Sequence, residues 1–491
     1  MFKISSSILI ISLLLGLVLC KESPDMIVVL SRHGAREPLN TGYDNSWANP
    51  TQITDVGIEE HYMLGKVLAS KYSELLENIT TDEMFLQSTY AERTQMSLSA
   101  QLYGLFSSNS HKHKAGQNKQ DFKIPYANQT MINEIIDDIM DQSIIPNKLQ
   151  FIPPKLHTKV EEDLIQISPH NCYYVEQRQA ERFNDSTNQE MEKTYLKKTF
   201  AKLQGLGYDV KDMLEIKEFG DALISRESAN LPPLKGLPYD GKLAKDSIFG
   251  FHWWNIYNVV GREYERSVKV FPLYSRMVEW FSGKAEGTNP LKLVLLGGHE
   301  SSIFPFLNLY NITNHTCYTE NYKSIEAGKP LPFPDCSFPE VASQLIWEFY
   351  SNSGSPYVKM LYNGKALKFC RNSEGVECSL DTLIEEFPET VSHLTPEKWQ
   401  QICSKPPVTV IQSEFDLVLP TMMMIFGAII GLISYLLISK KMVISHHQYA
   451  KGILEEPAES VKSPKSTTIE TQMTFENANQ TEDDSAVAAA V

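Results

Sequence analysis

Met26-Ile-Val-Val-Leu-Ser-Arg-His-Gly-Ala-Arg-Glu-Pro38 decides how this chain folds. Its first five residues are aliphatic and mostly β-branched, which predicts a strand buried on both faces. The run then breaks into Arg32-His33-Gly34-Ala35-Arg36, and Gly34 predicts a tight backbone turn beside the histidine. Two guanidinium forks at a strand end form a clamp for oxyanions. A neutral imidazole between them is a nucleophile aimed at what the clamp holds. Read alone, the pentad is also compatible with a plain basic turn, so the rest of the chain has to decide.

The chain has 491 residues, 42% hydrophobic and 21% charged, with a formal net charge of −15. That length implies two domains plus tails, and the acidic balance argues against a nucleic-acid partner. In such a chain a cluster of arginines is a local exception.

Residues 1–20 read as a secretory signal peptide: Lys3, the apolar Ile8–Leu15, then Val18-Leu19-Cys20. Loss of Cys20 leaves six cysteines, at 172, 317, 336, 370, 378 and 403. In an oxidising compartment these imply three disulfides, with connectivity left open. Asn-x-Ser/Thr tripeptides at Asn78, Asn128, Asn184, Asn311 and Asn314 predict glycosylation. Leu417–Ile438 carries no charge and is long enough to span a bilayer. Lys440 and Lys441 follow it, so 439–491 is expected in the cytosol as a disordered tail.

Within the body, Thr54–Tyr72 and Ala91–Phe106 show helical periodicity, and Phe85–Thr89 is a short strand. Strand, helix, strand, helix implies a parallel sheet. Residues 125–250 read as an α-rich cap inserted into an α/β core of 21–124 and 251–405. Two helices are expected at Tyr257–Arg266 and Pro272–Gly283. Leu291–Leu296 is a buried strand, and Ala342–Tyr350 is another that pairs with Tyr357–Tyr362.

Arg93 opens a helix after Ser88-Thr89, and His299-Glu300 follows Gly297-Gly298 at a strand end. Ligands of open α/β sheets bind beyond the strands' carboxyl ends, so these residues are expected to meet Arg32, His33 and Arg36. Together they suit phosphoryl transfer, which needs positioning and charge neutralisation. Arg32, Arg36, Arg93 and His299 would hold the phosphate. His33 would attack phosphorus, and Glu300 would protonate the leaving alcohol. With arginines supplying the positive charge, no metal or other cofactor is expected. His252, between Phe251 and Trp253-Trp254, reads as a packed histidine.

These motifs resemble the histidine acid phosphatases, the phytase and acid-phosphatase branch of the histidine phosphatases. The signature Arg-His-Gly-x-Arg-x-Pro matches Arg32–Pro38, and Ser-Thr-x-x-x-Arg-Thr-x-x-Ser matches Ser88–Ser97. Ala91 stands where the family commonly has an aspartate, and Glu300 where its late motif usually has one. The resemblance covers about 24–405 and implies a mainly parallel sheet flanked by helices. It also implies an acid phosphomonoesterase working through phosphohistidine, and the pairings Cys172–Cys403, Cys317–Cys336 and Cys370–Cys378. Specialised phosphatases for inositol phosphates, nucleotides or lysophospholipids are the alternative, as is an inactive phosphate-binding receptor. The anchored arrangement resembles the lysosomal type: a single-pass type I protein of the lysosomal membrane or cell surface, with homodimerisation left open.

Overall fold

The structure, a computed structural model, describes residues 23–43, 47, 49–106, 154–183, 185–351, 354–405 and 415–449. The signal segment, Asn128, Asn184, residues 125–153 of the expected cap and the tail from 450 lie outside them. Through residue 406 the chain forms one unit, and from 407 another.

One eight-stranded sheet organises the first unit. Its strands are β1 (Met26–Arg32), β2 (Met84–Ser88), β3 (Lys155–Leu156), β4 (Leu293–Gly298), β5 (Gln344–Tyr350), β6 (Tyr357–Tyr362), β7 (Lys365–Leu367) and β8 (Glu377–Ser379). The order is β3-β2-β4-β1-β5-β6-β7, with β8 also on β6. β3, β2, β4 and β1 run parallel, whereas β5 to β8 add antiparallel.

All seven β1 residues are buried. Met26, Val28 and Leu30 face one hydrophobic core, and Ile27 and Val29 face another across the sheet. Each aliphatic side chain so buried stabilises by roughly 1.5–3 kcal/mol, which explains an unbroken apolar run instead of alternation. Register then fixes the site: Arg32 lies beside Gly298, and Gly297 beside Ser88. Three strand ends are thereby level.

Helices α1 (Asp55–Lys71) and α2 (Glu92–Phe106) cover one face. The Thr54 side chain caps α1 by accepting from Gly57 N at 3.2 Å. After β3 come α3 (Tyr173–Phe183), two short helices (Ser186–Met191 and Lys197–Gly205), α4 (Met213–Ser228) and α5 (Lys242–Trp254). Most of this stretch packs on its own core, including Leu196, Leu203, Phe219, Leu223 and Trp253.

The two helices expected at 257–266 and 272–283 are instead one, α6 (Glu263–Ala285), with Pro272 inside it. Proline removes the bond to the carbonyl four residues back, here that of Val268. The Trp399 indole donates to Val268 O at 2.9 Å, so the orphaned carbonyl is satisfied. Phe271, Leu273 and Met277 bury against the main core and hold the helix through the proline.

Helices α7 (Glu300–Leu309), α8 (His315–Glu326) and α9 (Leu380–Thr390) follow, and a short helix, Pro396–Cys403, carries Trp399 and Cys403. Disulfides join Cys172 to Cys403, Cys317 to Cys336 and Cys370 to Cys378. In the second unit, α10 (Phe415–Tyr449) contains Met423–Lys441, long and apolar enough to cross a membrane.

Candidate active site

Arg32, His33, Arg36, Arg93, His299 and Glu300 converge at the carboxyl ends of β1, β2 and β4. His33 N donates to Gly298 O at 2.9 Å, and Thr89 N to Gly297 O at 3.0 Å. The backbones of His33 and Thr89 are therefore fixed on either side of β4 before any side chain is placed.

The imidazole of His33 is 2% exposed. Its Nδ1 lies 2.8 Å from the carbonyl of Gly34. A carbonyl only accepts, so Nδ1 carries the proton and Nε2 keeps its lone pair. Burial, followed by Arg93, Arg32, His299 and Arg36, holds the His33 pKa well below the usual value.

Gly34 is needed for a different reason than a turn. Its φ is not positive. A Cβ there would sit 2.3 Å from the carbonyl oxygen of Gly57, and one on Gly57 2.2 Å from that of Ala35. The loop passes against the first turn of α1 with no room for either methyl. Gly34 N also donates to Ser97 Oγ on α2 at 3.1 Å, and Ala35 N to Glu60 at 2.8 Å.

Arg32 donates Nη1 to Pro339 O at 2.6 Å and brings Nε within 3.0 Å of Glu300 Oε2. That ion pair is not aligned as a hydrogen bond; both buried atoms lack a hydrogen-bond partner. The same Oε2 is 3.9 Å from His33 Nε2. Burial pushes the Glu300 carboxyl up, but Arg32, His299 and Arg36 outweigh it and bring it down to about 2.

Arg36 is held by a residue the sequence reading missed. Asp221, on α4 of the inserted region and 1% exposed, accepts from Nη1 at 3.0 Å and Nη2 at 2.7 Å. It also accepts from Leu39 N at 2.8 Å. Burial opposes the Arg36 charge, and Asp221 more than restores it. Asp221 lies inside the apolar helical run Phe219–Ile224. A lone carboxylate in such a run is the signal that was available, since a buried charge needs a partner.

After burial, Arg93 is the largest influence on both His33 and His299, which places its charge close to both rings. His299 packs edge-on to His33, with ring centroids 5.5 Å apart, and its Nε2 meets Thr89 Oγ1 at 2.9 Å. Burial and Arg93 lower its pKa to about 3, which favours the neutral ring. Gly298 allows α7 to start close behind, where a Cβ would lie 2.8 Å from Ser302 Oγ. Ser302 Oγ accepts from His299 N at 3.2 Å. Arg32, Arg36 and Arg93 thus gather positive charge around His33, an environment that suits a phosphate. Among the described residues, no three His, Cys, Asp or Glu side chains gather to hold a metal ion.

Residues 25–219 match the family model of the histidine phosphatase superfamily (branch 2). Human prostatic acid phosphatase is 33% identical over 96 residues, covering 18% of this chain and a quarter (25%) of that protein. Lysosomal acid phosphatase of Xenopus laevis is 23% identical over 414 residues, 80% of this chain and 82% of that protein. Among solved structures, the phytase of Citrobacter braakii aligns with a TM-score of 0.49 at 13% identity, covering 75% of this chain and 98% of its own. The Arg-His-Gly-x-Arg signature at the end of β1, with its partners gathered around it, lies within the 25–219 stretch that is similar to the histidine phosphatase superfamily, branch 2.

Proposed function

We propose that the chain is an acid phosphomonoesterase that works through a phosphohistidine on His33. One observation carries this reading: Nδ1 of His33 is committed to the Gly34 carbonyl, so the Nε2 lone pair faces the arginine clamp. Burial, with the neighbouring positive charges, disfavours a proton on that nitrogen.

In the free protein Glu300 lies against Arg32, where a phosphate oxygen would bind. An incoming phosphoryl group competes for Arg32 and displaces the carboxylate. Freed from the cation, and beside an anion, Glu300 rises from its low pKa. A phosphate monoester has its second pKa near 6. Below that pH the ester arrives as a monoanion with a proton to give, and Glu300 can relay it to the leaving oxygen. His33 Nε2 forms the bond to phosphorus as the ester oxygen departs protonated. Water, deprotonated by Glu300, then attacks phosphorus, releasing inorganic phosphate and restoring His33.

The apolar helix Met423–Lys441 supports a membrane anchor. With a cleaved signal peptide, the catalytic unit would be luminal or extracellular and the tail cytosolic. Asn78 and Asn311, exposed, and Asn314, half-buried, are consistent with glycosylation of that unit. The test is hydrolysis of p-nitrophenyl phosphate by the full-length protein in detergent, measured from pH 4 to 8. Activity rising as pH falls through about 6 is expected; no hydrolysis at any pH would refute the reading.

A further inference from the structure

A line of buried hydroxyls runs from His299 to the first turn of α2. His299 Nε2 meets Thr89 Oγ1 at 2.9 Å. Thr89 Oγ1 meets Thr94 Oγ1 at 2.8 Å, and Ser88 Oγ donates to the same Thr94 oxygen at 3.1 Å. Thr94 Oγ1 donates in turn to Ala91 O at 2.6 Å. Ser88, Thr89 and Thr94 are completely buried, and His299 is 4% exposed.

The end of this line fixes every proton along it. A hydroxyl has one proton to give, and a carbonyl only accepts. The Thr94 proton is spent on Ala91 O, so Thr94 Oγ1 can only accept from its other neighbours. The Thr89 proton therefore goes to Thr94. Thr89 Oγ1 is left to accept from His299, which places the imidazole proton on Nε2. In the neutral ring the lone pair then lies on Nδ1. A backbone carbonyl on α2 thus selects the tautomer of a ring two hydroxyls away. That ring stands edge-on to His33, with centroids 5.5 Å apart, so its dipole acts where the phosphoryl group is held.

Resting on the phosphatase reading above, we propose that Thr89 and Thr94 are positioning residues for the reaction. They hold His299 as the Nε2-protonated tautomer beside the nucleophile. If Thr94 loses its oxygen, the Thr89 hydroxyl has no acceptor on that side and turns its proton to His299 Nε2. The His299 proton then moves to Nδ1. This turns the ring dipole beside the phosphate, and dipoles oriented in advance are what stabilise the charge of the transferring group.

Thr94→Val keeps the branched shape of the side chain and removes only its oxygen, whereas Thr94→Ser keeps the oxygen. The test reads side-chain nitrogen NMR of the full-length protein carrying isotope-labelled histidine, with His299 assigned by its absence in His299→Gln. In the wild type and Thr94→Ser, His299 should carry its proton on Nε2; in Thr94→Val, on Nδ1. On p-nitrophenyl phosphate, kcat/KM should fall by about tenfold in Thr94→Val, the scale of one hydrogen bond, and recover in Thr94→Ser. A wild-type proton on Nδ1, an unchanged tautomer in Thr94→Val, or a changed tautomer at wild-type kcat/KM overturns the inference. So does Thr94→Ser as impaired as Thr94→Val, which would mean a packing role. The spectra separate this inference from the catalytic reading. If no form hydrolyses the ester but the tautomer follows Thr94 as stated, the control of His299 stands and the phosphatase reading fails. If the wild type is active with its His299 proton on Nδ1, the phosphatase reading stands and this inference falls.

Discussion

The site is built from two regions that meet their constraints differently. At the strand ends of β1, β2 and β4, backbone bonds position the chemistry: His33 N on Gly298, Thr89 N on Gly297, His33 Nδ1 on its neighbour's carbonyl. Between β3 and β4, single side chains reach in from the helices α4 and α5. Asp221 steers Arg36, and His252 backs Phe338 beneath Arg32. The strand ends are thus set by backbone bonds, and the helices between β3 and β4 add side-chain supports to the arginines. Variants in the first region should reduce kcat, and variants in the second should act on KM.

The largest effect is expected for His33→Ala. Loss of the nucleophile should lower kcat on p-nitrophenyl phosphate by about 10⁴-fold or more, with thermal unfolding unchanged within a few degrees. Residual kcat within tenfold of wild type would break the division at its strongest point.

Next is Glu300→Gln. Proton donation is worth about 10²–10⁴-fold, so β-glycerophosphate, with its basic leaving group, should suffer that loss. p-Nitrophenyl phosphate should lose far less. The same variant no longer places a carboxylate against Arg32, so KM should fall for both esters. An equal kcat loss on both would place Glu300 elsewhere in the mechanism.

Asp221→Asn sharpens the comparison from the other side. Weakening a charge-assisted bidentate pair costs about 1.5–3 kcal/mol, and part of that should emerge as a KM increase of roughly tenfold, with kcat nearly kept. A loss confined to kcat would move Asp221 into the catalytic group.

Smaller still is a pH effect on stability. His61 on α1 is buried, contacts Arg32 O at 2.9 Å through Nε2, and is lowered to about pKa 4 by burial. The folded protein refuses a proton that the unfolded chain accepts at about 6.5. This contribution is therefore complete above pH 6.5 and is lost as pH falls toward 4. It should cost on the order of 2 kcal/mol at pH 5, read as a drop in Tm of a few degrees between pH 7 and 5. His61→Gln should remove the His61 share of the drop and leave that of His33, His252 and His299, which burial also lowers.

How far the sequence revealed this arrangement follows from the kind of constraint at work. Arg32-His33-x-x-Arg36 and His299-Glu300 were legible because each ends an unbroken apolar strand, and strand ends of parallel sheets gather ligands. The purpose of Gly34 was misread, because the backbone that excludes a side chain there belongs to Gly57, on another element. The single helix through Pro272 was also hidden: its spare carbonyl finds Trp399, 131 residues away. The pairing of Asp221 with Arg36 depends on how α4 packs onto the sheet, and local periodicity carries no record of that.

The central claim is that His33 receives the phosphoryl group on Nε2. Rapid acid-free quenching of the full-length protein with labelled p-nitrophenyl phosphate, followed by peptide mapping, tests it directly. The label is expected on the peptide containing His33, on Nε2 because Nδ1 is held by Gly34, and absent in His33→Ala. A label on another residue, or hydrolysis at full rate with no labelled histidine under conditions that trap the intermediate, would contradict the account.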